Sequence, residues 1–316
     1  MSHAAQPASA RRFLSYLGVV GLAFVMLYPL LWMFSASLTP GGQIGSAGLI
    51  PQRGVTLDNY QQGWNGVGGV GFGRFFLNSL LVSGAAVLGN IVSCSLAAYA
   101  FARIDFRWRR IWFALAVGSI LLPAQVLIIP QYILFRSFGW VNTYLPLIVP
   151  KFLAHDAFFV FLMVQFIRGI PRELDQAARI DGCGHFGIYS RIILPLLMPA
   201  LATTAAFTFI NTWNDFFSPL IYLTRPQLFT VPIALRAFID ATSASSLGPL
   251  FAMSVLSLLP VLGFFLAFQR LLTEGIVTTG LKKRTCRCFS GRILSSMEAV
   301  VRQLRTRWSK SSTAAS

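Results

Sequence analysis

The sequence predicts an all-α membrane protein with six transmembrane helices, and three observations carry this prediction. The chain has 316 residues, of which 55% are hydrophobic and only 11% charged, a composition unlike that of a soluble domain. Six apolar segments can each supply the ~20 residues that a helix needs to cross the hydrocarbon core of a bilayer. Lysine and arginine are concentrated on alternate connections between these segments, as the positive-inside rule requires.

The six predicted spans follow one another along most of the chain. They cover residues 13–38, 76–102, 111–135, 145–167, 196–222 and 249–269. The first apolar run is too long for a cleavable signal peptide and contains Pro29 and Trp32, so we interpret it as a span. Residues 1–12 are small, polar and basic, and we expect them to form a disordered cytoplasmic N-terminus.

The distribution of positive charge predicts the topology. With the N-terminus inside, 20 of the 26 lysine and arginine residues fall on the cytoplasmic side. Half of those 20 lie from Arg270 onward, and without them ten cytoplasmic charges still exceed the six on the other side. We therefore predict that both termini are cytoplasmic. The net charge of +16 does not indicate nucleic-acid binding, because most of the charges lie in short patches between apolar segments.

The sequence offers little for enzymatic chemistry. Its four cysteines and three histidines form neither a disulfide framework nor a metal-binding spacing. It contains no G-x-x-x-x-G-K-[ST] phosphate loop, no Ser-His-Asp set and no H-E-x-x-H motif. We therefore expect no catalytic residue, no metal and no cofactor in this chain.

The loop of residues 169–195, between the fourth and fifth spans, predicts a short helix parallel to the membrane on the cytoplasmic side. Pro171 suits the beginning of a helix, and the acidic residues Glu173 and Asp175 suit its positive end. Gly182 can take the left-handed conformation that ends a helix, with a new helix following from Phe186. Three small or apolar residues share one predicted face, namely Leu174, Ala177 and Ala178.

The same loop carries a family resemblance. Its sequence reads Q-A-A-R-I-D-G from Gln176 to Gly182, followed after nine residues by I-I-L-P from Ile192 to Pro195. This pattern resembles the EAA signature of ABC importer permeases, which is E-A-A, three residues, G, nine residues and I-x-L-P. In that family the loop docks into a cleft on each ATPase subunit. The residues that the resemblance implies for ATPase coupling are Glu173, Asp175, Gln176, Ala177, Ala178, Asp181, Gly182, Leu194 and Pro195.

One position departs from the family pattern. Gln176 stands where the family usually has a glutamate, and it carries no charge to pair with a basic residue of the ATPase. The neighbouring Asp175 is a candidate substitute, although its side chain points about 100° away around the helix axis. The alternative to a docking role is that the whole segment is only a structural amphipathic connector.

Two further elements resemble the carbohydrate-importer branch of these permeases. The T-L-x-N-Y element Thr56 to Tyr60 lies in the external loop 39–74, which either folds over the mouth of the translocation path or is a flexible connector. A W-N-D element followed by F-x-x-P-L lies inside the fifth span. Amides, a carboxylate and an indole inside a span rarely face lipid, and they are groups that bind sugars. The candidate solute-pathway residues are Gln125, Asn211, Trp213, Asn214 and Asp215, the alternative being a helix break satisfied by a partner subunit.

The fourth span contains three ionisable residues in its outer half. Lys151, His155 and Asp156 are costly at membrane depth unless they are paired or face a polar cavity. A direct attraction between Lys151 and Asp156 would reduce this cost. Alternatively, the span begins later in the sequence and these residues lie at the interface.

The resemblance implies the ABC importer permease fold and a function. Residues 13–282 would form the permease domain of a sugar importer in a bacterial-type inner membrane. Residues 283–316 have no obvious counterpart in the family. Their apolar stripe and arginines predict a basic amphipathic tail that contacts lipid, the alternatives being contact with the ATPases or no role. The implied partners are a second homologous permease, two ATP-binding cassette ATPase subunits and an extracytoplasmic solute-binding protein. Two rivals remain: a secondary transporter that uses Lys151, His155 and Asp156 as a proton relay, and a membrane-embedded scaffold or enzyme subunit.

Overall fold

The structure, a computed structural model, describes residues 8–40, 54–240 and 247–269. These residues are almost entirely helical, and the β-structure described among them is a single bridge between Val67 and Val70. The helices are α1 (Ala8–Ser37), α2 (Asp58–Trp64), α3 (Phe72–Arg103), α4 (Arg109–Gly118), α5 (Ala124–Ser137), α6 (Leu145–Ile148), α7 (Ala157–Arg168), α8 (Glu173–Ile180), α9 (His185–Ile188), α10 (Leu194–Leu196), α11 (Met198–Trp213), α12 (Phe217–Tyr222), α13 (Val231–Asp240) and α14 (Leu247–Gln269). Helical turns of other types occupy Ser119–Leu121, Val149–Leu153, Tyr189–Ile193 and Pro226–Leu228.

Length and composition identify four to six membrane spans among the described residues. Four stretches are long and apolar enough on their own: Ser15–Ser37, Phe72–Arg103, Leu145–Arg168 and Leu247–Gln269. Two more spans result if each of two bent helix pairs crosses the membrane once: Arg109–Leu121 with Gln125–Ser137, and His185–Leu196 with Met198–Trp213. These six units correspond in order to the six predicted spans, so the predicted all-α fold class is confirmed.

Proline accounts for both bends. The first pair is bent by 108° at a break that contains Pro123, a residue whose position inside the third span predicts a kink by itself. The second pair is bent by 75° between Leu196 and Met198, with Pro195 before the break and Pro199 after it. A proline ring cannot donate the backbone hydrogen bond and collides with the preceding turn of a helix. The predicted fifth span, 196–222, is therefore not one continuous helix.

Helix α3 lies at the centre of the packing, against α7 on one side and α11 on the other. Its buried face is rich in small residues, among them Ala86, Gly89, Ala98 and Ala102. Small side chains let neighbouring helix backbones approach closely, which drives helix association where no water is available to be excluded. A Cβ atom at Gly89 would collide with the ring of Phe152, so a larger residue here would have to displace that ring.

The T-L-x-N-Y element has a structural role in this fold. The Asn59 side chain, buried in α2, donates hydrogen bonds to the carbonyl oxygens of Ser37 (2.9 Å) and Thr39 (2.8 Å) at the end of α1. The Tyr60 hydroxyl lies 2.9 Å from the Ser37 hydroxyl, and Gly248 at the start of α14 packs directly against Asn59. The described part of the external loop therefore joins the ends of α1 and α14.

The terminal predictions fall largely outside the described residues. Helix α1 begins at Ala8, so residues 8–12 are helical, although the sequence predicts that they are disordered. Residues 1–7 and the whole predicted tail, 283–316, lie outside the part of the chain that the structure describes.

Candidate functional site

The loop between α7 and α11 forms the short helix that the sequence predicts. Helix α8 runs from Glu173 to Ile180, and Gly182 follows it with a φ of +80°, the left-handed conformation expected at this position. The next helix begins at His185, one residue before the predicted start. Because an ordinary residue is strained at such a φ, Gly182 sets the direction in which the chain leaves α8.

The predicted small-residue face of α8 is divided between two environments. Ala178 is only 6% exposed and packs in a core cluster with Ile188 and Tyr189. Leu174 and Ala177 are exposed on the outer side of the helix. The prediction of a single shared face was wrong because Ala178 is rotated about 100° from Ala177 and turns inward.

The outer side of α8 exposes apolar side chains. Leu174, Ala177 and Ile180 follow one another at three-residue intervals and form a stripe that we call the α8 outer face. Ile180 is 87% exposed, and Phe186, just beyond the turn at Gly182, is 76% exposed. Large apolar side chains presented in a loop that lies outside the spans indicate a contact surface for another protein.

The remaining predicted coupling residues lie around this surface. Glu173, Gln176, Asp181 and Pro195 are exposed, whereas Leu194 is half-buried against the core. Asp175 behaves differently: its side chain is 13% exposed, and one carboxylate oxygen lies 2.9 Å from Arg103 Nε. Asp175 is thus turned into the protein, and Gln176 is the residue of the two that faces outward.

Three polar residues of α3 hold the loop from behind. They are spaced four residues apart on one face of the helix and form what we call the α3 ladder: Ser95, Tyr99 and Arg103. Each of the three residues contacts the loop. The Ser95 hydroxyl lies 2.7 Å from the Tyr189 hydroxyl, and the Tyr99 hydroxyl lies 3.2 Å from His185 Nδ1. Arg103 pairs with Asp175 (2.9 Å) and donates to the Ile170 carbonyl (2.7 Å). Sequence reasoning missed this contact set, although the polar residues at helical spacing in a span were its visible signal.

A second candidate site is a cavity of about 310 Å³ between the second, third, fourth and fifth spans. Of the candidate solute-pathway residues, Asn211 and Asp215 line it. Gln125 and Asn214 do not contribute to its wall among the described residues, and neither does Trp213. Trp213 is buried in a core cluster, and its indole N–H donates to the Ser257 carbonyl in α14 at 3.1 Å, so its position fits the structural alternative.

The ionisable residues of the fourth span line the same cavity. Lys151, His155 and Asp156 all contribute to its wall. The Lys151 ammonium donates to Asp156 Oδ2 at 2.8 Å, which confirms the suggested attraction, and His155 Nδ1 lies 3.6 Å from Asp156 Oδ1. The helix is broken here, with Ala154 in a left-handed conformation (φ +52°), so these side chains are placed at a gap in the span. Lys151 and Asp156 are therefore a paired group that faces the cavity.

No group of three or more histidine, cysteine, aspartate or glutamate side chains within the described ranges is arranged to hold a metal ion. The two cysteines placed by the structure, Cys94 and Cys183, are both free thiols.

Comparisons with known proteins give a consistent picture. Residues 89–277 match the family model described as "binding-protein-dependent transport system inner membrane component". The arabinooligosaccharides transport system permease protein AraQ of Halalkalibacterium halodurans is 34% identical over 85% of this chain and 97% of its own length. The trehalose/maltose transport system permease protein MalG of Thermococcus litoralis is 29% identical over 86% of this chain and 97% of its own length.

A solved structure shares the fold. A chain from the crystal structure of a bacterial ABC transporter involved in the import of the acidic polysaccharide alginate superposes with a TM-score of 0.74. The superposition covers 84% of the present chain and 98% of the other, at 22% sequence identity.

Proposed function

The chain belongs to the family of binding-protein-dependent transport system inner membrane components, and we propose that it imports a sugar or sugar-like solute as one permease subunit of an ATP-driven complex. Its relatives are permeases of arabinooligosaccharide and of trehalose and maltose transport systems. Their names support a carbohydrate solute for this chain. The family description also supports a binding protein as the source of that solute.

The α8 outer face is the observation on which the coupling role rests. It presents Leu174, Ala177 and Ile180 to the exterior at the position where the sequence resembles the docking loop of ABC importer permeases. We infer that an ATPase subunit covers this surface. The exposed Gln176 beside it offers an amide where the family pattern has a carboxylate, so recognition here depends on hydrogen bonding and apolar contact without an ion pair.

The α3 ladder gives the docked loop a mechanical connection to the membrane. Movement of an ATPase against α8 is passed through the Arg103–Asp175 pair and the two tyrosine contacts to α3, the most central helix of the bundle. Switches of this kind alternate between two packed arrangements of the helices, and the bound nucleotide determines which arrangement is favoured. Alternating access would follow when α3 and the helices packed against it change their orientation relative to the second permease.

The orientation and the other partners complete the proposal. The positive charges favour cytoplasmic termini, and in that orientation α8 would lie on the same side as the ATPases. Helix α1 exposes apolar side chains on all sides between residues 16 and 31, a surface suited to lipid or to a second permease subunit. Hydrolysis of ATP would occur in the two ATPase subunits and not in this chain.

The secondary-transporter alternative is not favoured. Its proton relay would use Lys151, His155 and Asp156, but the family and the relatives found are those of binding-protein-dependent systems. The ion pair between Lys151 and Asp156 instead belongs to the wall of the cavity.

Crosslinking tests the docking role directly. A cysteine introduced by Ala177→Cys should capture an ATP-binding protein when native membranes are treated with a short thiol-to-amine crosslinker. Val55→Cys is the matched control, because Val55 is also exposed (67%) but lies in the loop before α2, which we place on the opposite side of the membrane. Uptake of labelled sugar by membrane vesicles should require ATP and should survive collapse of the proton gradient. The docking role would be refuted if Ala177→Cys captured no ATPase in membranes that take up the sugar.

A further inference from the structure

The connection between α3 and α4 carries a cluster of positive charge. Residues 104–112, which we call the α3–α4 corner, contain the arginines Arg107, Arg109 and Arg110. Arg109 forms an ion pair with Asp105, four residues earlier. Arg107 and Arg110 are exposed, and neither has a carboxylate partner among the described residues. The corner therefore presents two guanidinium groups whose charge no other part of the described chain neutralises.

A further arginine reaches the corner from the end of α7. The Arg168 guanidinium lies over the ring of Phe113, 5.3 Å from its centroid. Phe113 is the neighbour of Arg110 on the surface of α4, because side chains three residues apart lie on the same side of a helix. Arg168 is also exposed and lacks a carboxylate partner within the described ranges. Arg107, Arg110 and Arg168 together form what we call the arginine cluster.

Helix α4 exposes apolar side chains next to this cluster. They follow one another at intervals of three, one and three residues, which places them on one side of the helix, and we call them the α4 stripe: Trp108, Ile111, Trp112 and Leu115. All four are between 51% and 61% exposed. The Arg107 guanidinium lies 5.9 Å from the centroid of the Trp108 ring, so the cluster and the stripe are in contact.

Charge and apolar surface are separated along α4. The arginines of the corner lie at the beginning of the helix, whereas the stripe continues for about 10 Å from Trp108 to Leu115. A phospholipid has the same arrangement, with a phosphate at one end and acyl chains that extend away from it. Protein interfaces instead have an apolar centre within a polar rim. Arginine binds phosphate oxygens in pairs, and tryptophan is enriched at the level of lipid headgroups.

We propose that the α3–α4 corner is a binding site for one anionic phospholipid. The arginine cluster donates hydrogen bonds to the phosphate, and an acyl chain lies along the α4 stripe. A zwitterionic lipid binds less well, because its own cation competes with the arginines for the phosphate. The corner directly follows Arg103, whose ion pair with Asp175 holds α8, so the lipid lies at the same end of α3 as the docking loop. The site goes beyond the proposed function, since it requires only that α4 meets a membrane surface.

Native mass spectrometry of the whole complex in detergent counts the bound lipids. The delipidated complex is titrated with phosphatidylglycerol and, separately, with phosphatidylcholine of the same chain length. We expect the parent to bind one phosphatidylglycerol at the corner more tightly than phosphatidylcholine. Arg110→Gln combined with Arg168→Gln should weaken binding of phosphatidylglycerol roughly fivefold for each arginine removed and leave binding of phosphatidylcholine nearly unchanged. The corresponding lysine variants should keep most of the preference, because they retain the charge.

A control variant removes the same charge elsewhere. Arg136→Gln combined with Arg225→Gln changes two exposed arginines that we place on the opposite side of the membrane, and it should bind lipid as the parent does. If the double glutamine variant at the corner does not accumulate, Arg107→Gln alone should show the fivefold loss, since Arg107 is an exposed residue of the same cluster.

Three results would overturn the proposal. The first is an equal affinity of the parent for the two lipids, or a preference that the double glutamine variant retains. The second is loss of a protein subunit from that variant at an unchanged lipid count, which would make the corner a protein interface. The third is displacement of phosphatidylglycerol by inorganic phosphate, which would indicate a site for a soluble anion. Sugar uptake by the same preparations tests the importer assignment separately.

Discussion

Arg103 Nε lies 2.9 Å from Asp175 Oδ2, and this ion pair joins the last turn of α3 to helix α8. Both side chains are buried, at 4% and 13% exposure, and a second nitrogen of Arg103 donates to the Ile170 carbonyl at 2.7 Å. The other carboxylate oxygen of Asp175 has no hydrogen-bond partner among the described residues. The contact is therefore a buried ion pair that links the central helix α3 to the loop.

Removing one member of this pair should be more damaging than removing both. Asp175→Ala leaves the Arg103 charge buried without its partner, a change that typically costs about 3–5 kcal/mol. The double change Arg103→Met with Asp175→Leu should unfold at a temperature between those of the single variant and the parent. Thermal unfolding of the purified complex in detergent measures this order. If Asp175→Ala were as stable as the parent, the pair would contribute nothing to holding the loop.

The double change should also separate docking from transport. Since the α8 outer face stays intact, we expect the ATPases to remain bound while sugar uptake falls at least tenfold. Copurification and vesicle uptake on the same preparation provide the two readouts. Full uptake by the double variant would show that the Arg103–Asp175 contact does not transmit movement of the ATPase to α3.

Gly182 should tolerate no larger residue. Its φ of +80° costs an ordinary residue roughly 1–2 kcal/mol, so Gly182→Val should redirect the chain after α8 and sharply reduce coupled uptake. Gly182→Pro should abolish uptake, because proline cannot adopt a positive φ. Insertion into the membrane should be unaffected. The control is Gly184→Ala, since Gly184 has an ordinary φ of −74° and free space around it.

A charge on the α8 outer face should prevent docking without unfolding the protein. Ile180 is 87% exposed, so Ile180→Asp removes no internal contact of consequence. We expect loss of copurifying ATPase and of uptake, at an unchanged unfolding temperature of the permease. Val55→Asp, at a similarly exposed apolar position before α2, should leave both properties intact. If the Ile180→Asp variant still copurified with the ATPase, the docking surface would have to lie elsewhere on the protein.

Asn59 should matter for stability and not for coupling. Asn59→Ala removes the two hydrogen bonds to the end of α1 and leaves the Ser37 and Thr39 carbonyls without these donors, at a cost of about 1–3 kcal/mol. The unfolding temperature should fall, and uptake per properly folded complex should remain unchanged. Asn65→Ala, in an exposed position of the same loop, is the comparison. An unchanged unfolding temperature in Asn59→Ala would contradict the structural role of the T-L-x-N-Y element.

The sequence is most informative where one local rule determines the structure. The proline content predicts the bend at Pro123, and the spacing of the EAA-like pattern predicts the helix before Gly182. In both cases a single residue restricts the backbone by itself, whatever surrounds it. The six spans are predictable for a similar reason, because crossing a bilayer requires a minimum apolar length.

Contacts between distant segments are much less predictable. Which side of α8 is inward depends on where α3 and α9 lie, so the burial of Ala178 and the pairing of Asp175 were not evident from helical spacing. The cavity is a similar case: the sequence identifies Asn211 and Asp215 as solute-pathway candidates. For Lys151 and Asp156 it leaves open a mutual pair, an interfacial location and a role in the rival mechanism. These residues are about 60 positions apart in the sequence, and only the packed structure shows that they share one wall.

Because α3 is continuous, a movement at one of its ends is transmitted to the other. It is an uninterrupted helix of 32 residues without proline, and it reaches from Ser79 in the cavity wall to Arg103 against the docking loop. At 1.5 Å per residue, the interval between these two residues is about 36 Å. A tilt of this rod by only a few degrees at one end displaces the other end by ångströms. Force applied at the loop can thus widen or narrow the cavity at the other end of the helix without any rearrangement in between.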